Sequence, residues 1–126
     1  MKTPHRKPTD GELAILRVLW ANGPSTVRQV VEALGRETGY TTALKLLQIM
    51  TEKGLVRRDE RERTHVYQST YTEDQTQRTL VSDLLDRAFG GSAAKLVLQA
   101  LSANTTSPRE LAEIKRFLDK KRGGAR

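Results

Sequence analysis

The feature that most constrains the fold is a change in the spacing of apolar residues near residue 55. Before that point, apolar residues recur every three or four positions in three short segments, as they do on one face of a helix. Thr9 with Glu12 and Thr26 with Gln29 each form the capping-box pattern that starts a helix, and Gly54 follows the third segment where a helix-ending glycine belongs. The residues predicted to face inward are Leu13, Leu16, Trp20, Val27, Val30, Val31, Leu34, Ala43, Leu44, Leu47 and Met50.

Two runs with the composition of β-strands follow the third helix. Residues 55–58 and 64–68 are short and contain β-branched or aromatic side chains, and residues 59–63 between them are all charged. A segment of that kind belongs in water at the tip of a hairpin. Three helices followed by a two-stranded hairpin are typical of a winged helix-turn-helix. We therefore predict a mainly α fold of the α+β class, with a winged-helix domain over residues 1–70.

Residues 71–122 are predicted to form three further amphipathic helices, with capping residues at Thr72, Ser92 and Ser107. A unit of that size rarely buries enough apolar surface alone. We therefore predict that this region forms a twofold dimer with a second copy of the chain; packing against the first domain is the alternative. The predicted interface residues are Leu80, Leu84, Leu85, Leu96, Val97, Leu101, Leu111, Ile114 and Leu118. Residues 123–126 are predicted to be a disordered tail.

The composition excludes several kinds of functional site. The chain of 126 residues contains no cysteine, which excludes disulfides, zinc–thiolate sites, iron–sulfur clusters and thiol nucleophiles. His5 and His65 lie far apart in the sequence and make no ligand pair, and no catalytic or phosphate-cradling motif occurs. We therefore predict that the chain is not an enzyme and has no metal site and no cofactor.

The charge and hydropathy patterns bear on location and partners. No stretch approaches the roughly 18–20 apolar residues of a membrane helix, and residues 1–9 lack the apolar core of a signal peptide. We expect a cytoplasmic protein without membrane insertion. The net charge of +7 favours phosphate polyanions as partners, although such a surplus also serves solubility.

The third helix contains the strongest candidates for base recognition. In a helix-turn-helix, the second helix of the motif enters the major groove with its first residues at the base edges. Here those residues are predicted to be Tyr40, Thr41, Thr42, Lys45 and Gln48. Lysine can reach guanine acceptors, glutamine can pair with adenine, and a threonine methyl suits the thymine methyl. The alternative is that Thr41 only caps the helix and that the other side chains form a solvated face.

The hairpin is a second candidate for contact with nucleic acid. Arg57, Arg58, Arg61 and Arg63 lie within seven positions, and arginines there could contact the DNA backbone or enter a minor groove. The acidic residues between them weaken that positive field. A solvated hairpin tip whose charges pair with one another is therefore the alternative.

Four segments of the chain resemble the penicillinase repressor family (BlaI/MecI type). They are Pro8-Thr9, Glu12-Leu13, Ile15-Leu16 and Leu19-Trp20 in the first helix, GYTTALK at 39–45, MTEKGLV at 50–56 and RTHVY at 63–67. The resemblance implies a winged-helix repressor that dimerises through its C-terminal helices and binds inverted-repeat operators with the helix that holds Thr41, Thr42 and Lys45. It also implies a membrane sensor metalloprotease as a partner, whose response leads to cleavage of the repressor and frees the operator.

Two departures limit what the resemblance implies. Family members controlled in this way are cut at an Asn-Phe or similar bond in the fifth helix, where this chain has Gln99-Ala100 and lacks the aromatic residue. We therefore do not expect cleavage at that bond. The copper-responsive branch of the family ends in a cysteine-rich motif, and a chain without cysteine cannot sense copper through thiolates.

Together these patterns predict a sequence-specific transcriptional repressor that binds a palindromic double-stranded DNA operator as a homodimer. The first alternative is a nucleoid-type protein that binds nucleic acid without sequence preference, which the net charge would suit. The second is an adaptor that uses the winged-helix fold without binding DNA.

Overall fold

The computed structural model describes residues 7–35 and 37–124, which contain six helices and two strands. The three predicted helices, the hairpin and the three further helices occur in that order. The elements are α1 (Asp10–Asn22), α2 (Val27–Leu34), α3 (Tyr40–Lys53), β1 (Val56–Asp59), β2 (Val66–Ser69), α4 (Glu73–Ala88), α5 (Ala93–Ala103) and α6 (Pro108–Gly124).

Local side-chain hydrogen bonds fix the helix starts as predicted. At α1, the backbone N–H of Glu12 donates to the Thr9 hydroxyl at 3.2 Å, and the Thr9 N–H donates to the Glu12 carboxylate at 3.0 Å. The same reciprocal pair forms between Thr26 and Gln29 at α2. Each capping box satisfies backbone donors that a helix terminus leaves without partners.

Gly54 produces the change from helix to strand. Its φ of 83° lies in the left-handed region, which glycine adopts without the steric penalty of a side chain. The backbone N–H of Leu55 then reaches back to the carbonyl of Met50 at 2.9 Å. This closure ends α3 and directs the chain into β1.

The hairpin is attached to the helices through its second strand. β1 and β2 pair antiparallel, with Val56 opposite Ser69 and Asp59 opposite Val66. The backbone of Tyr67 in β2 also pairs with Ser25, between α1 and α2, through two hydrogen bonds of 2.9 and 2.8 Å. We call the hairpin with its tip, residues 56–69, the wing.

The helices of the N-terminal part and the wing enclose one hydrophobic cluster. Tyr67 contributes a fully buried aromatic ring, and the indole N–H of Trp20 donates to the Ser69 hydroxyl and the Tyr71 carbonyl, both at 3.1 Å. Trp20 thereby ties α1 to the end of β2 and the segment that precedes α4. The buried hydrophobic residues are Ile15, Leu16, Leu19, Val27, Val30, Ala43, Leu47, Met50, Leu55, Val56 and Tyr67.

The chain divides into two compact units, Met1–Ser82 and Asp83–Arg126. The first unit holds every buried hydrophobic residue of the described chain. In the second unit, no described residue is buried. Its largest exposed side chains include Leu98 and Phe117, which are 63% and 62% exposed.

The predicted disordered tail begins too early, because α6 extends to Gly124. Gly123 and Gly124 were predicted to be disordered, but both belong to α6. Glycine costs about 1 kcal/mol relative to alanine in a helix, which disfavours the last turn without preventing it. Residues 125 and 126 of the predicted tail lie outside the described residues.

Neither a membrane-spanning helix nor a metal-binding cluster occurs in the part of the chain that the structure describes. None of its helices combines the length and apolar character needed to cross a bilayer. Its His, Asp and Glu side chains form no group of three or more that could hold a metal ion.

A buried ion pair links the start of α1 to the end of α3. The Lys53 ammonium donates to both carboxylate oxygens of Glu12, at 2.8 and 2.9 Å, and the Glu12 side chain is only 3% exposed. Burial acts to raise the pKa of Glu12. The hydrogen bonds from Lys53 and from the Thr9 backbone outweigh that effect, so the pKa lies below its ordinary value of 4.5.

Replacing Glu12 with glutamine should lower the free energy of unfolding at pH 7 by about 1.5–3 kcal/mol, as expected for hydrogen bonds to charged groups. Because the folded-state pKa is lowered, the wild-type advantage holds above the ordinary pKa of 4.5. It is lost as the pH falls through the lowered value. Urea denaturation at pH 7 and at successively lower pH measures both effects.

Glu52→Gln is the matched control, because Glu52 is exposed and adjacent to Lys53 in the sequence. It should change the free energy of unfolding at pH 7 by less than about 0.5 kcal/mol. Equal effects of the two substitutions would contradict a stabilising role for the buried pair.

Candidate nucleic-acid interface

α3 presents a polar face to solvent while its opposite face packs in the core. Tyr40 is 51% exposed, and Thr41, Thr42, Lys45 and Gln48 are also exposed. On the other face, Ala43, Leu47 and Met50 are fully buried. The structure therefore brings the five predicted recognition residues of α3 together on its accessible surface.

Thr41 does not cap α3, contrary to the alternative in which it serves only as the helix cap. The residue that caps the helix is Gly39, and no side chain supplies a capping hydrogen bond. Thr41 lies within the helix, so the interpretation of Thr41 as the cap is wrong. Among the described residues, the hydroxyls of Thr41 and Thr42 have no hydrogen-bond partner, which leaves both available to an external ligand.

Two of the four wing arginines are paired with carboxylates of the wing itself. Arg61 binds Asp59 in a bidentate arrangement, with its Nη2 atom 2.7 Å from Oδ2 and its Nε atom 3.0 Å from Oδ1. Arg58 forms an ion pair with Glu60. The alternative of a hairpin tip that pairs its own charges therefore describes these two arginines.

The wing carboxylate Asp59 has a strongly altered acidity. Side-chain and backbone hydrogen bonds from Arg61 lower the pKa of Asp59 to about 2. The Asp59–Arg61 pair consequently carries no net charge at neutral pH, so it adds little to the long-range attraction of a polyanion.

Arg57 and Arg63 differ from the other two wing arginines. Both are exposed, and neither has an ion-pair or hydrogen-bond partner within the described chain. Arg63 lines a groove of about 570 Å³ together with Arg28 of α2, Tyr40 of α3 and His65 of the wing. Arg57 lies on β1 opposite Gln68, outside that groove.

The sequence patterns do not identify Arg28 and His65 as site candidates. Arg28 is exposed in the first turn of α2, the helix expected to cross the DNA backbone in a helix-turn-helix. The place of Arg28 in the first turn of the second helix is therefore a sequence signal for contact with DNA. In the sequence, His65 shows no pairing typical of a metal ligand and no catalytic motif, and no local pattern indicates that the wing places it beside α2.

The predicted interface residues of the C-terminal helices are accessible in the single chain. Leu84, Val97, Leu111 and Leu118 are 41–53% exposed. Leu80, Leu85, Leu96, Leu101 and Ile114 are partly buried. Val81, Leu98 and Phe117 are equally prominent exposed hydrophobic residues of these helices.

Comparison with known sequences identifies a family match over most of the chain. The sequence model of the family described as "Penicillinase repressor" matches residues 8–120. Two relatives, each described as "Transcriptional regulator BlaI", come from Mycobacterium tuberculosis strains CDC 1551 / Oshkosh and ATCC 25618 / H37Rv. Each is 38% identical to this chain over 92 residues, which cover 71% of this chain and 67% of the relative.

Comparison with solved structures identifies a similar fold. A MarR family protein from Bacillus stearothermophilus superimposes with a TM-score of 0.52 at 18% sequence identity, covering 94% of this chain and 75% of that protein. At that level of identity, the likeness concerns the fold alone.

The pairing within the wing tip can be tested without a ligand. Arg61→Gln should return the pKa of Asp59 from about 2 toward its ordinary value of 3.8, because the charged hydrogen bonds that stabilise the carboxylate are removed. Titration of the carboxyl carbon by NMR measures this pKa. Arg63→Gln is the control and should leave it low. A low pKa in the Arg61→Gln variant would contradict the pairing.

Proposed function

Since this chain belongs to the penicillinase repressor family, we propose that it represses transcription as a homodimer bound to a palindromic DNA operator. The observation that carries the proposal is the exposed face of α3, where Thr41 and Thr42 lie beside Lys45 and Gln48 and make no side-chain hydrogen bond to any residue that the structure describes. The description of the relatives as transcriptional regulators supports the same function.

In this proposal, the first turns of α3 lie in the major groove. Lys45 donates to the O6 and N7 acceptors of a guanine, and Gln48 pairs with an adenine. Thr41 and Thr42 contact phosphate or base edges, while Tyr40 packs at the start of the helix. The wing arginines contact the backbone, with Arg57 and Arg63 more available than the self-paired Arg58 and Arg61.

The proposed dimer interface consists of the apolar faces of α4, α5 and α6. The complete lack of buried residues in the described part of the second unit supports the need for a partner surface, since amphipathic helices are stable when their apolar faces are covered. A twofold dimer would present two α3 helices to half-sites about 34–36 Å apart, or a multiple of that spacing.

Repression would follow from steric exclusion of RNA polymerase at a promoter in the cytoplasm, without catalysis by the repressor. The family resemblance also suggests a membrane sensor protease as the source of the inducing signal. Gln99 and Ala100 lie within α5 and are exposed. A protease would have to unwind that helix locally to cut there, and the bond lacks the aromatic residue of the family pattern.

The function is tested by selecting a binding site from a random-sequence duplex library with the full-length chain. The affinity for the selected duplex should exceed that for random duplex by at least about 10³-fold at physiological salt. Equal affinities would instead support a nucleoid-type protein, and negligible binding of any duplex would support an adaptor.

Lys45→Ala should weaken binding of the selected duplex by about 1–3 kcal/mol and relax the preference at one base pair, because a base-specific donor is removed. Fluorescence anisotropy with single-base variants of the duplex measures both effects. Lys120→Ala removes the same charge from the exposed surface of α6 and should leave base preference unchanged. Retained preference in the Lys45→Ala variant would exclude base recognition by this side chain.

Leu84→Asp should convert the dimer to a monomer, because it places a charge in the proposed apolar interface, and it should weaken operator binding. Sedimentation velocity measures the oligomeric state, and circular dichroism checks that the N-terminal unit stays folded. The control is Ser82→Asp, which lies on a different face of α4 and should stay dimeric. A dimeric Leu84→Asp variant would show that the interface lies elsewhere.

A further inference from the structure

The two ends of α3 are held unequally. At the end that carries the proposed base-reading residues, Gly39 caps the helix and no side chain supplies a capping hydrogen bond. At the other end, the Gly54 N–H donates to the carbonyl of Met50, and Lys53, the last residue of α3, donates to Glu12 of α1. The position of the base-reading end is therefore determined by how the rest of α3 is held.

Apolar contacts define the rotation of α3 less sharply than its polar contact with α1 does. Ala43, Leu47 and Met50 are fully buried, but hydrophobic burial is non-directional, whereas hydrogen bonds weaken steeply as their angle departs from linearity. Within the part of the chain that the structure describes, Lys53 is the only side chain of α3 that hydrogen-bonds to another helix or strand. Its contact with Glu12 is therefore the directional link that orients α3 relative to α1.

The carboxylate of Glu12 is held in place independently of Lys53. The Thr9 N–H donates to Oε1 of Glu12 at 3.0 Å, as part of the capping box that starts α1. Because the Glu12 side chain is only 3% exposed, water cannot readily replace the ammonium group if α3 turns. Such a rotation would leave a buried charged group without its partner, which costs more free energy than the loss of a bond at the surface.

Lys53 lies on the same side of α3 as part of the base-reading surface. It follows Thr42 by eleven positions, which is about three helical turns, so the two residues lie nearly in line along the helix. A rotation of about 20° would move Cα atoms, which lie about 2.3 Å from the axis, by about 0.8 Å, and the ends of long side chains by more. Functional side chains must stay within about 0.5 Å of their working positions. A rotation of that size would therefore disturb base recognition.

Base recognition and attraction to phosphates respond differently to such a rotation. Base contacts require hydrogen bonds of defined geometry to the edges of the bases. The attraction of lysine and arginine to the DNA backbone is electrostatic and independent of sequence. A chain in which α3 has turned would therefore lose its preference for an operator while keeping its affinity for DNA in general.

We propose that Glu12, through its ion pair with Lys53, fixes the rotation of α3 and thereby sets the preference of the chain for its operator over other DNA. This inference rests on the proposed DNA-binding function. Glu12 contacts no base in this arrangement; it is a positioning residue that acts through Lys53 on the side chains at the other end of α3.

The first test compares wild type with Glu12→Gln, which keeps the size of the side chain and an oxygen that can accept the Thr9 N–H. Fluorescence anisotropy measures affinity for the duplex selected by the wild-type chain and for random duplex, and the ratio of the two is the operator preference. Glu12→Gln should lower this ratio by about 5- to 150-fold, the effect expected of losing a base contact. Affinity for random duplex should stay within about twofold of wild type, because phosphate contacts dominate it.

Thr9→Ala is the matched control for stability. It removes the hydroxyl that accepts the Glu12 N–H and so weakens the start of α1, but it keeps the ion pair. A smaller folded fraction lowers both affinities by the same factor, so a loss of stability alone leaves the operator preference unchanged. Equal loss of preference in Thr9→Ala and Glu12→Gln would overturn the positioning role.

The second test is a double-mutant cycle with Lys53→Gln. If the two residues act as a pair, Lys53→Gln should also lower the operator preference, and the double variant should lose no more than the more affected single variant. Additive losses would show that Glu12 and Lys53 act separately and would overturn the inference.

The results separate failure of this inference from failure of the proposed function. If Glu12→Gln keeps the operator preference while Lys45→Ala loses it, the positioning role is wrong and the repressor function stands. If the wild-type chain shows no preference for any duplex, both fail. Loss of preference in Glu12→Gln, with retention in Thr9→Ala and a non-additive double variant, supports the positioning role.

Discussion

The arrangement of the N-terminal unit depends on the pairing of Ser25 with Tyr67. Two backbone hydrogen bonds, 2.9 and 2.8 Å long, join the turn between α1 and α2 to the second strand of the wing, and the Tyr67 ring is buried in the core. Because Tyr67 also pairs with Arg58 in β1, the whole hairpin is fixed relative to the helices. The groove beside α3 exists only because this attachment holds the wing next to α2.

Local pairing of charges, rather than the net charge of +7, determines which arginines are available to a ligand. Asp59 and Glu60 engage Arg61 and Arg58 at the wing tip, and using either arginine for phosphate would leave a carboxylate without its partner. Arg63 forms no ion pair with any described residue, so its binding to phosphate would leave no carboxylate without a partner. Arginines that look equivalent in the sequence therefore differ in the free energy needed to bring them to DNA.

The parts of the fold that depend on neighbours in sequence were predictable. Thr9 with Glu12 and Thr26 with Gln29 form their capping boxes, and Gly54 ends α3, because each signal acts within one helical turn. The bond of Glu12 to Lys53 and the pairing of Ser25 with Tyr67 join distant segments, and no local pattern encodes them. The same limit applies to the groove, since Arg28 and His65 become neighbours only after the wing is attached, whereas the exposed face of α3 follows from helical periodicity alone.

Because no described residue of the second unit is buried, the stability of this unit is expected to depend on the concentration of the chain. If its apolar helices are covered only by another copy, then folding of this region and assembly are a single equilibrium, and its stability depends on chain concentration. As the total concentration of the chain decreases, the concentration of the dimer decreases more steeply. Occupancy of an operator with two half-sites would then increase steeply over a narrow range of chain concentration. A modest change in synthesis or turnover of the chain would therefore change promoter activity more than it would for a monomeric repressor.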